Sequence, residues 1–436
     1  MVQGILDCLV PGCKRRGSSS AGEIEDGYTQ GYIRPLKRTE AAWLKRSWLD
    51  QRLLDVTKLT YFDVNASDLF AAGDIERARR YHRPLYLALG VDLVLQLAVL
   101  GAIAFAAPGD WLWNATSGPW WARTLELTAL VLAAGALVRL PLSAWRGWAY
   151  ERRWGFSTQR LRSWLWDVVK GLAVGAVVTG IGLAALIGSA RVWPGWWPLV
   201  AAPGAALLAL VLSLFAPLLF ERLFNRFWPL PDAELAGELR DLSVQAGVPV
   251  RTMLVADASR RTRKHNAYVS GLGPTRRLVL YDTLLADAPA GELRGVVAHE
   301  LGHRRFRHVA AGTALGMAGA TAAVLILWGL LSWPWLLSQA GASGPGDPRV
   351  VPLVLLVLWL LELGALPFET WISRRWERTA DRFALELTGD GEALEQMHRR
   401  LALANLADLD PPPLLYALLF THPTPPERIA AARMSR

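Results

Sequence analysis

The chain has few of the residues that stabilise small secreted proteins. Cys8 and Cys13 are the only cysteines among 436 residues, and a C-x4-C pair without further ligands nearby predicts neither a disulfide framework nor a metal site. The apolar stretch around Ile5 is short and contains Asp7, so no secretory signal peptide is predicted. A disulfide-stabilised secreted protein is therefore excluded, and membrane insertion is left to the first long apolar segment.

Lysine is also scarce, since the chain has 6 lysines and 41 arginines, a ratio that indicates a GC-rich, bacterial genome. The net charge is +9, but its distribution follows a topological rule. The linkers at 108–124, 189–197 and 338–349 contain one arginine each, whereas the basic residues crowd one intervening segment: Arg139, Arg146, Arg152, Arg153, Arg160, Arg162 and Lys170. This alternation places both termini in the cytoplasm by the positive-inside rule. Nucleic-acid binding is therefore not predicted.

Hydrophobic residues make up 52% of the chain, which is more than the roughly 45–50% typical of soluble domains. The excess lies in six runs, each about long enough to cross a bilayer as a helix: Leu85 to Ala107, Leu125 to Leu142, Gly171 to Gly188, Pro198 to Phe220, Ala310 to Leu331 and Val350 to Ile372. The sequence therefore predicts a mainly α, polytopic helical membrane protein with about six transmembrane helices. A small α+β domain is expected on its cytoplasmic side.

Several of these runs contain polar or ionisable residues, namely Asp92, Gln96, Glu126, Arg139 and Glu362. Such groups are costly when they face lipid, so they are expected to face one another or enclosed water. Two interpretations stay open from the sequence. The residues either form polar pairs that tie helices together or line a hydrated chamber inside the bundle.

The segment Val296-Val-Ala-His-Glu-Leu-Gly-His303 is the main chemical motif. On a helix, His299 and His303 are four residues apart and project from one face, where both can bind one metal ion. Glu300 points away from this pair and can accept a proton from a metal-bound water. Asp287 and Pro289 indicate the start of the helix, and the motif predicts one Zn²⁺ per chain.

A catalytic zinc needs a third protein ligand and an open position. The metzincin histidine is absent because its position is Val309, and His308 is predicted to be a surface residue or one that contacts a ligand. Glu377 and Asp381, four apart in Ser373-Arg-Arg-Trp-Glu-Arg-Thr-Ala-Asp381, are the better candidates. We expect Glu377 to bind the metal and Asp381 to hydrogen-bond a ligand histidine. The rival ligand Glu362 lies about 22 Å away along a helix, deep in the bilayer.

The segment that precedes the motif is less hydrophobic than the apolar runs, and the spacing of its apolar residues differs from theirs. Residues 232–246 are typical of an amphipathic helix, and 252–256 of a strand. Two further strand-like stretches flank Gly271 to Pro274, which predicts a hairpin. A hairpin beside a metal helix suits a protease that pairs an extended substrate with an edge strand.

These motifs together resemble the membrane-embedded zinc endopeptidases of the type 1 CAAX prenyl protease family. The matching elements are the H-E-L-G-H motif, the run that contains Glu377, the terminal T-H-P-T-P-P-E-R-I, Trp154-Gly-Phe156, and Phe224-Asn-Arg-Phe-Trp-Pro-Leu230. The resemblance implies that His299, His303 and Glu377 bind zinc and that Glu300 is the general base. It also implies that Asn266 and Ala267 hold the substrate backbone and that His422 and Arg428 serve the active site. The chain departs from the family in having six spans where seven are usual, and Thr370 where asparagine is common.

A division of the chain follows from these patterns. It comprises a disordered tail at 1–40, a cytoplasmic helical segment at 41–82, four transmembrane helices at 83–220, a metalloprotease segment at 221–308, two transmembrane helices at 309–372 and a C-terminal cytoplasmic segment at 373–436. Position 422 lies in that last segment, where the surrounding prolines predict irregular structure. A hydrogen bond from His422 to the developing oxyanion is expected.

The predicted function is hydrolysis of peptide bonds in membrane-associated or lipidated, CAAX-type proteins by zinc-activated water. The partners expected are peptide or protein substrates, which include prenylated ones, and the lipid bilayer. The predicted location is a bacterial cell membrane, or the endoplasmic reticulum membrane in a eukaryote. Two alternatives are a general quality-control zinc protease of membrane proteins and, less favoured because Glu300 is present, a silent membrane scaffold with structural zinc.

Overall fold

The computed structural model describes residues 64–271 and 276–434, and the following account is confined to them. Six helices in this part of the chain are long and apolar enough to cross a membrane. Four precede the metal motif: α1 (Ala72–Phe105), α3 (Trp120–Ala144), α4 (Leu161–Val192) and α5 (Pro198–Phe224). Two follow it: α9 (His308–Leu331) and α11 (Val351–Thr388). The prediction of a polytopic helical membrane protein with six spans is confirmed.

Shorter helices connect or extend these spans. They are α2 (Ala107–Asn114), α6 (Ala233–Gln245), α7 (Asp282–Asp287), α8 (Ala290–Arg305), α10 (Pro334–Gln339), α12 (Gly391–Ala404), α13 (Pro413–Leu419) and α14 (Pro425–Arg433). The helix of α3 continues as a π-helix over Trp145–Tyr150 and one α-turn over Glu151–Arg153. Asp232 and Asp390 cap α6 and α12 by accepting hydrogen bonds from backbone N–H groups, as N-cap carboxylates commonly do.

Four boundaries drawn from the sequence, at 82/83, 220/221, 308/309 and 372/373, fall inside continuous helices. The first membrane helix begins at Ala72, so no break separates residues 72–82 from the span. Helix α11 likewise runs from Val351 to Thr388 and carries the site residues on the same helix as the sixth span. Hydropathy falls where a helix leaves the apolar layer, but its backbone hydrogen bonds do not end there. Cys8, Cys13 and residues 1–63, which include the predicted tail, lie outside the described residues.

A four-stranded sheet packs beside the metal motif. Its strands are β1 (Phe227–Pro229), β2 (Thr252–Ala256), β3 (Ala267–Ser270) and β4 (Arg277–Tyr281), in the order β1-β2-β4-β3. Strand β3 pairs antiparallel with β4, with Ala267 opposite Leu280, which confirms the predicted hairpin, although residues 272–275 of its turn lie outside the described part. Strand β2 runs parallel to β4. Buried residues from the sheet, α6, α8 and α12, such as Leu239, Val255, Val297 and Leu394, form one core.

Aromatic and basic side chains gather at the end of the bundle remote from the sheet. The guanidinium groups of Arg123 and Arg349 lie 4.5 and 4.8 Å from the Trp113 ring centroid. Arg191 stacks over Trp120 at 5.5 Å and donates a 3.0 Å hydrogen bond to the Gly346 carbonyl. The linkers after the first, third and fifth spans therefore meet at one end of the molecule.

Polar residues within the spans are mainly paired with one another. Arg139 makes a two-pronged contact with Asp92, at 2.8 and 3.0 Å, and donates a further hydrogen bond to Gln96. Glu126 accepts a 2.9 Å hydrogen bond from the Ser117 backbone. For the Asp92, Gln96 and Arg139 group, the first of the two sequence interpretations, polar pairs that tie helices together, is the one observed.

Candidate metal centre and catalytic cavity

The metal motif lies on α8, which packs directly against α11. Gly302 makes this close approach possible, because a Cβ atom at that position would lie 3.1 Å from the Ala380 Cα and 3.2 Å from the Phe383 ring. Helix α8 begins at Ala290 with Pro289 as its N-cap residue, close to the predicted start, while Asp287 ends the short helix α7. The small residue of H-E-L-G-H thus lets the second helix bring its carboxylate to the histidines.

His299, His303 and Glu377 form the one group of potential metal ligands found in the described residues. The two histidine Nε2 atoms lie 3.1 Å apart. His299 Nε2 is 3.3 Å from Glu377 Oε2, and His303 Nε2 is 3.2 Å from Glu377 Oε1. Glu377 is buried, and its Oε2 atom accepts no hydrogen bond from the described residues. One potential ligand atom from each of the three residues lies within 4.8 Å of the other two, and the two histidines share one helix face, as their sequence spacing predicts.

The electrostatics of this group favour a positive charge. Burial lowers the pKa of His299, but the carboxylates of Asp381 and Glu377 outweigh burial and raise the pKa to about 10. Asp381 Oδ1 lies 2.8 Å from His299 Nδ1, the ring nitrogen that faces away from the converging atoms. Arg428 binds Asp381 through two hydrogen bonds of 2.8 and 2.5 Å. Asp381 therefore fixes the orientation of His299, and Arg428 fixes Asp381.

Glu300 lies on α8 beside the ligands and lines a cavity of about 360 Å³. Burial raises the pKa of its carboxyl group, and the neighbouring His299 and His303 oppose that rise. A carboxylate with a raised pKa accepts a proton more readily near neutral pH. The same cavity is lined by Asn266, Ala267, His422 and Arg428, so every predicted catalytic or substrate residue outside the ligand set except Asp381 lies on its wall.

His422 approaches the ligands from the C-terminal segment. Its Nε2 atom lies 3.4 Å from Glu377 Oε1, and 58% of its side chain is exposed. The prediction of irregular structure throughout this segment is wrong, because Pro425 and Pro426 begin helix α14, which carries Arg428. Proline is tolerated in the first turn of a helix, where its missing N–H has no partner to lose. Thr424 and Glu427 complete the start as a capping box.

Helix α11 holds this segment in place one turn before Glu377. The buried Arg374 donates hydrogen bonds of 3.0 and 2.6 Å to the carbonyls of Tyr416 and Phe420, and its guanidinium stacks on the Tyr416 ring. Thr370 donates a 2.7 Å hydrogen bond to the Ala417 carbonyl. The threonine that stands where asparagine is common is therefore a donor to the same segment. Arg374 and Thr370 couple the position of His422 to that of Glu377.

Sequence reasoning did not find several residues of the site. His398 is buried on α12, with Nε2 3.7 Å from Asp381 Oδ1, and it lines the cavity with His265 and Asn405. His308 is buried rather than at the surface, and its Nδ1 lies 3.1 Å from Nδ1 of His303. Contact between His308 and His303 agrees with the second of the two roles that the sequence predicts for His308, whereas the sequence did not single out His398, His265 or Asn405. These three come from elements whose approach to the site depends on the tertiary fold.

Two family models together match most of the chain. Residues 229–436 match the model described as peptidase family M48, and residues 65–226 match the CAAX prenyl protease N-terminal domain with five membrane helices. Among the relatives, an uncharacterised metalloprotease of Bacillus subtilis, YhfN, is 30% identical over 71% of this chain and 73% of its own length. The CAAX prenyl protease 1 homolog of Arabidopsis thaliana is 27% identical over 89% and 94% of the two chains.

A solved structure shows the same fold. The crystal structure of S. mikatae Ste24p aligns with a TM-score of 0.75 at 23% identity, covering 90% of this chain and 97% of that one. The family models, the bacterial relative and the shared fold agree with the geometry of the His299, His303 and Glu377 group. The chain belongs to peptidase family M48 and is a multi-pass membrane metalloprotease of the type 1 CAAX prenyl protease family.

Proposed function

We propose that the protein is a zinc endopeptidase in which His299, His303 and Glu377 hold the metal and Glu300 is the general base. The observation that carries the proposal is the convergence of three side chains beside Glu300 in one cavity, with the two histidine Nε2 atoms 3.1 Å apart and each 3.2–3.3 Å from one of the two carboxylate oxygens of Glu377. Metal–ligand bonds of about 2.0–2.1 Å in a tetrahedron place ligand atoms about 3.3–3.4 Å apart. The unpartnered Oε2 of Glu377 and the preference for positive charge at His299 also fit zinc.

The chain's own groups divide the remaining work. Zinc, when bound, supplies a Lewis acid that activates water and polarises the scissile carbonyl. Glu300 accepts the proton of the attacking water and passes it to the leaving amine. Asp381 keeps the Nε2 lone pair of His299 directed at the metal by binding its Nδ1. His422 donates a hydrogen bond to the oxygen on which negative charge develops.

We infer that the substrate docks as an extended strand against Asn266 and Ala267. Both residues line the cavity that contains Glu300, and β3 is an edge strand of the sheet. An extended peptide added to a free edge is recognised through its main chain. This mode requires an unfolded segment and little side-chain specificity. It therefore fits the C-terminal segments of membrane-associated proteins.

Membrane-associated or lipidated, CAAX-type proteins are the substrates we propose. The names of the plant and yeast relatives, CAAX prenyl protease 1, support this class. The bacterial relative is named only as a metalloprotease, and the arginine-rich composition indicates a bacterial source. General cleavage of membrane proteins for quality control is therefore the second candidate. The active site faces the cytoplasm in either case.

The experiment is a comparison of wild type with Glu300→Gln. We expect the variant to keep its metal and its fold but to lose nearly all peptidase activity, because an amide is nearly isosteric yet cannot accept the proton. The assay measures cleavage of a synthetic peptide by purified protein, with metal content determined in parallel. Substantial turnover by Glu300→Gln would assign the base to another residue.

The same pair of proteins identifies the substrate class. Mass spectrometry of membrane proteomes from cells that contain wild type or Glu300→Gln should reveal uncut proteins in the variant. Accumulation of proteins with an intact C-terminal CAAX-type sequence would support the first candidate. Accumulation of unrelated, misassembled membrane proteins would favour quality control.

A further inference from the structure

The free edge of β3 consists of the backbone N–H and C=O groups that point away from β4. The Asn266 carbonyl accepts a 3.0 Å hydrogen bond from the Tyr281 N–H. In an antiparallel pair, residues that bond the partner alternate with residues whose polar groups face outward. Asn266 and Tyr268 therefore face β4, whereas His265, Ala267 and Val269 present their N–H and C=O groups to the free edge. A docking peptide can use only these three residues.

Val269, the third of these residues, is already bonded. Arg304 on α8 donates two hydrogen bonds to the Val269 carbonyl, one of them 3.1 Å long from its Nε atom. The next residue, Ser270, is buried, and its hydroxyl lies 3.4 Å from Glu221 of the membrane helix α5. Arg277 binds both Ser270 and Glu221. The C-terminal half of β3 is therefore closed by polar side chains.

His265, at the other end of the free edge, is bonded as well. The side chain of Asn405 accepts a 2.8 Å hydrogen bond from the His265 N–H and donates a 3.1 Å hydrogen bond to the His265 carbonyl. This reciprocal pair copies the bonds that a neighbouring strand residue would make. Ala267 lies between His265 and Val269 and lines the cavity. Its N–H donates a 2.9 Å hydrogen bond to Asn266 Oδ1, and among the described residues no side chain donates to its carbonyl, which is the group left open on this edge.

We propose that Arg304 and Asn405 limit the docking edge to Ala267, so that the substrate main chain is bound by hydrogen bonds at a single residue. The inference rests on the proposed peptidase function and on docking at β3. It adds which residues of β3 the substrate main chain can bind. Arg304 and Asn405 act as positioning residues that fix which substrate residue lies opposite Ala267. The hydrogen-bonded pair of Ala267 and one substrate residue then determines which substrate bond lies beside Glu300. The flanking residues of the peptide are held only by side-chain contacts.

The experiment uses a synthetic fluorogenic peptide that the wild-type protein cleaves at one bond, assayed in detergent micelles. A series of analogues replaces each backbone amide in turn by an ester, which removes one N–H donor and adds no bulk. In wild type, we expect kcat/KM to fall about threefold to tenfold at one position, the range typical of a lost hydrogen bond. The positions two residues to either side should be insensitive, because the carbonyls of Val269 and His265, unlike that of Ala267, already accept side-chain hydrogen bonds.

The variants test the two closing residues separately. Arg304→Met removes the donors to Val269, so a second sensitive position should appear two residues from the first. Asn405→Ala should add a sensitive position on the opposite side. Arg305→Met is the matched control, since the Arg305 guanidinium lies by Gly247 rather than by β3 and the wild-type pattern should persist.

Each outcome has one meaning. Sensitivity at two or three alternate positions in wild type would show an open edge and overturn the inference. Arg304→Met and Asn405→Ala with the wild-type pattern would also overturn it, because neither residue would then close the edge. If the peptide is cleaved but no ester affects kcat/KM, docking at β3 is wrong while the peptidase function stands. If no cleavage depends on Glu300, the proposed function itself fails.

Discussion

At the residue scale, the site depends on a division of labour between two helices. In the proposed metal-bound state, the histidines of α8 would supply neutral nitrogen atoms, and the carboxylates that offset the metal's charge would come from α11. Glu377 contacts both of these histidines, whereas Asp381 contacts one of them, His299, at its outer nitrogen. This difference supports our proposal that Glu377 is a ligand and that Asp381 orients a ligand histidine from behind.

The metal assignment predicts different effects for two glutamates of the same helix. Glu377→Ala should lose most of its zinc, because a site with two remaining ligands binds far more weakly and cannot recover the lost carboxylate. Glu362→Ala is the matched control, 15 residues earlier on α11, and should keep one zinc per chain. Elemental analysis of the purified variants measures both. Full zinc in Glu377→Ala would contradict the assignment.

His422 is expected to act in the transition state rather than as a ligand. His422→Phe should keep its zinc and a near-normal KM, while kcat falls by about 10²–10³, the cost typical of losing one oxyanion donor. The side chain lies 3.4 Å from Glu377, so loss of zinc is the outcome that would make it a ligand instead. Steady-state kinetics and metal analysis on the same preparation distinguish the two. Unchanged kcat would show that the exposed imidazole has no part in the chemistry.

At the element scale, the edge strand β3 and the helix α8, which carries the metal motif, are in direct contact. Helix α8 carries two of the three proposed ligands, the proposed base and Arg304, and Arg304 binds β3 directly. The contact between Arg304 and Val269 thus sets the distance between Glu300 and the main chain of a substrate docked on β3. Helix α11 and the C-terminal segment are joined in the same way through Arg374.

A proline in the edge strand should separate docking from metal binding. Ala267→Pro removes the N–H that binds Asn266 Oδ1 and fixes φ at the one residue that we propose to bind substrate, so KM should rise or cleavage should cease while zinc content stays normal. Ala267→Gly keeps the N–H group and serves as the control with near wild-type KM. Kinetics on the synthetic peptide, with metal analysis alongside, provide the test. Wild-type kinetics in Ala267→Pro would mean that substrate docks elsewhere.

At the scale of the whole molecule, local patterns predicted the spans and the motif because each depends on residues close in sequence. Apolar length located the six helices, and the four-residue spacing placed His299 and His303 on one face. Glu377 required one more step, the return of the chain across two spans. His398 and Asn405 could not be predicted, because α12 reaches the cavity only through packing in the core shared with the sheet.

The boundaries between segments were less predictable than the segments themselves. A drop in hydropathy marks where a helix leaves the apolar layer, and in both α1 and α11 the helix continues beyond that point. The prolines at 425 and 426 similarly indicated a break but occupy the first turn of α14. The hydropathy of a segment indicates whether it lies in the apolar layer or in water. The end of a helix is instead determined by where its backbone hydrogen bonds stop.

The bundle predicts a topology that reporter fusions can test. Contact between His303 and Glu377 requires the fifth and sixth spans to cross and return, so the linker between them lies at the end opposite the metal group. That linker meets Trp113 and Arg191 through Arg349 and Gly346, and each of the three linkers has a single arginine. By the positive-inside rule, fusions after Trp113 and after Gly344 should both report the side opposite the cytoplasm.

A fusion after Gln245, in the segment that carries the sheet, is the control and should report the cytoplasm. The three arginines at the opposite end stack on tryptophan rings. A guanidinium held against an indole is suited to the membrane interface, where both groups are common anchors. A cytoplasmic signal from position 344 would therefore contradict the six-span arrangement. It would also remove the basis for placing Glu377 on the same membrane side as His303, independently of any measurement of activity.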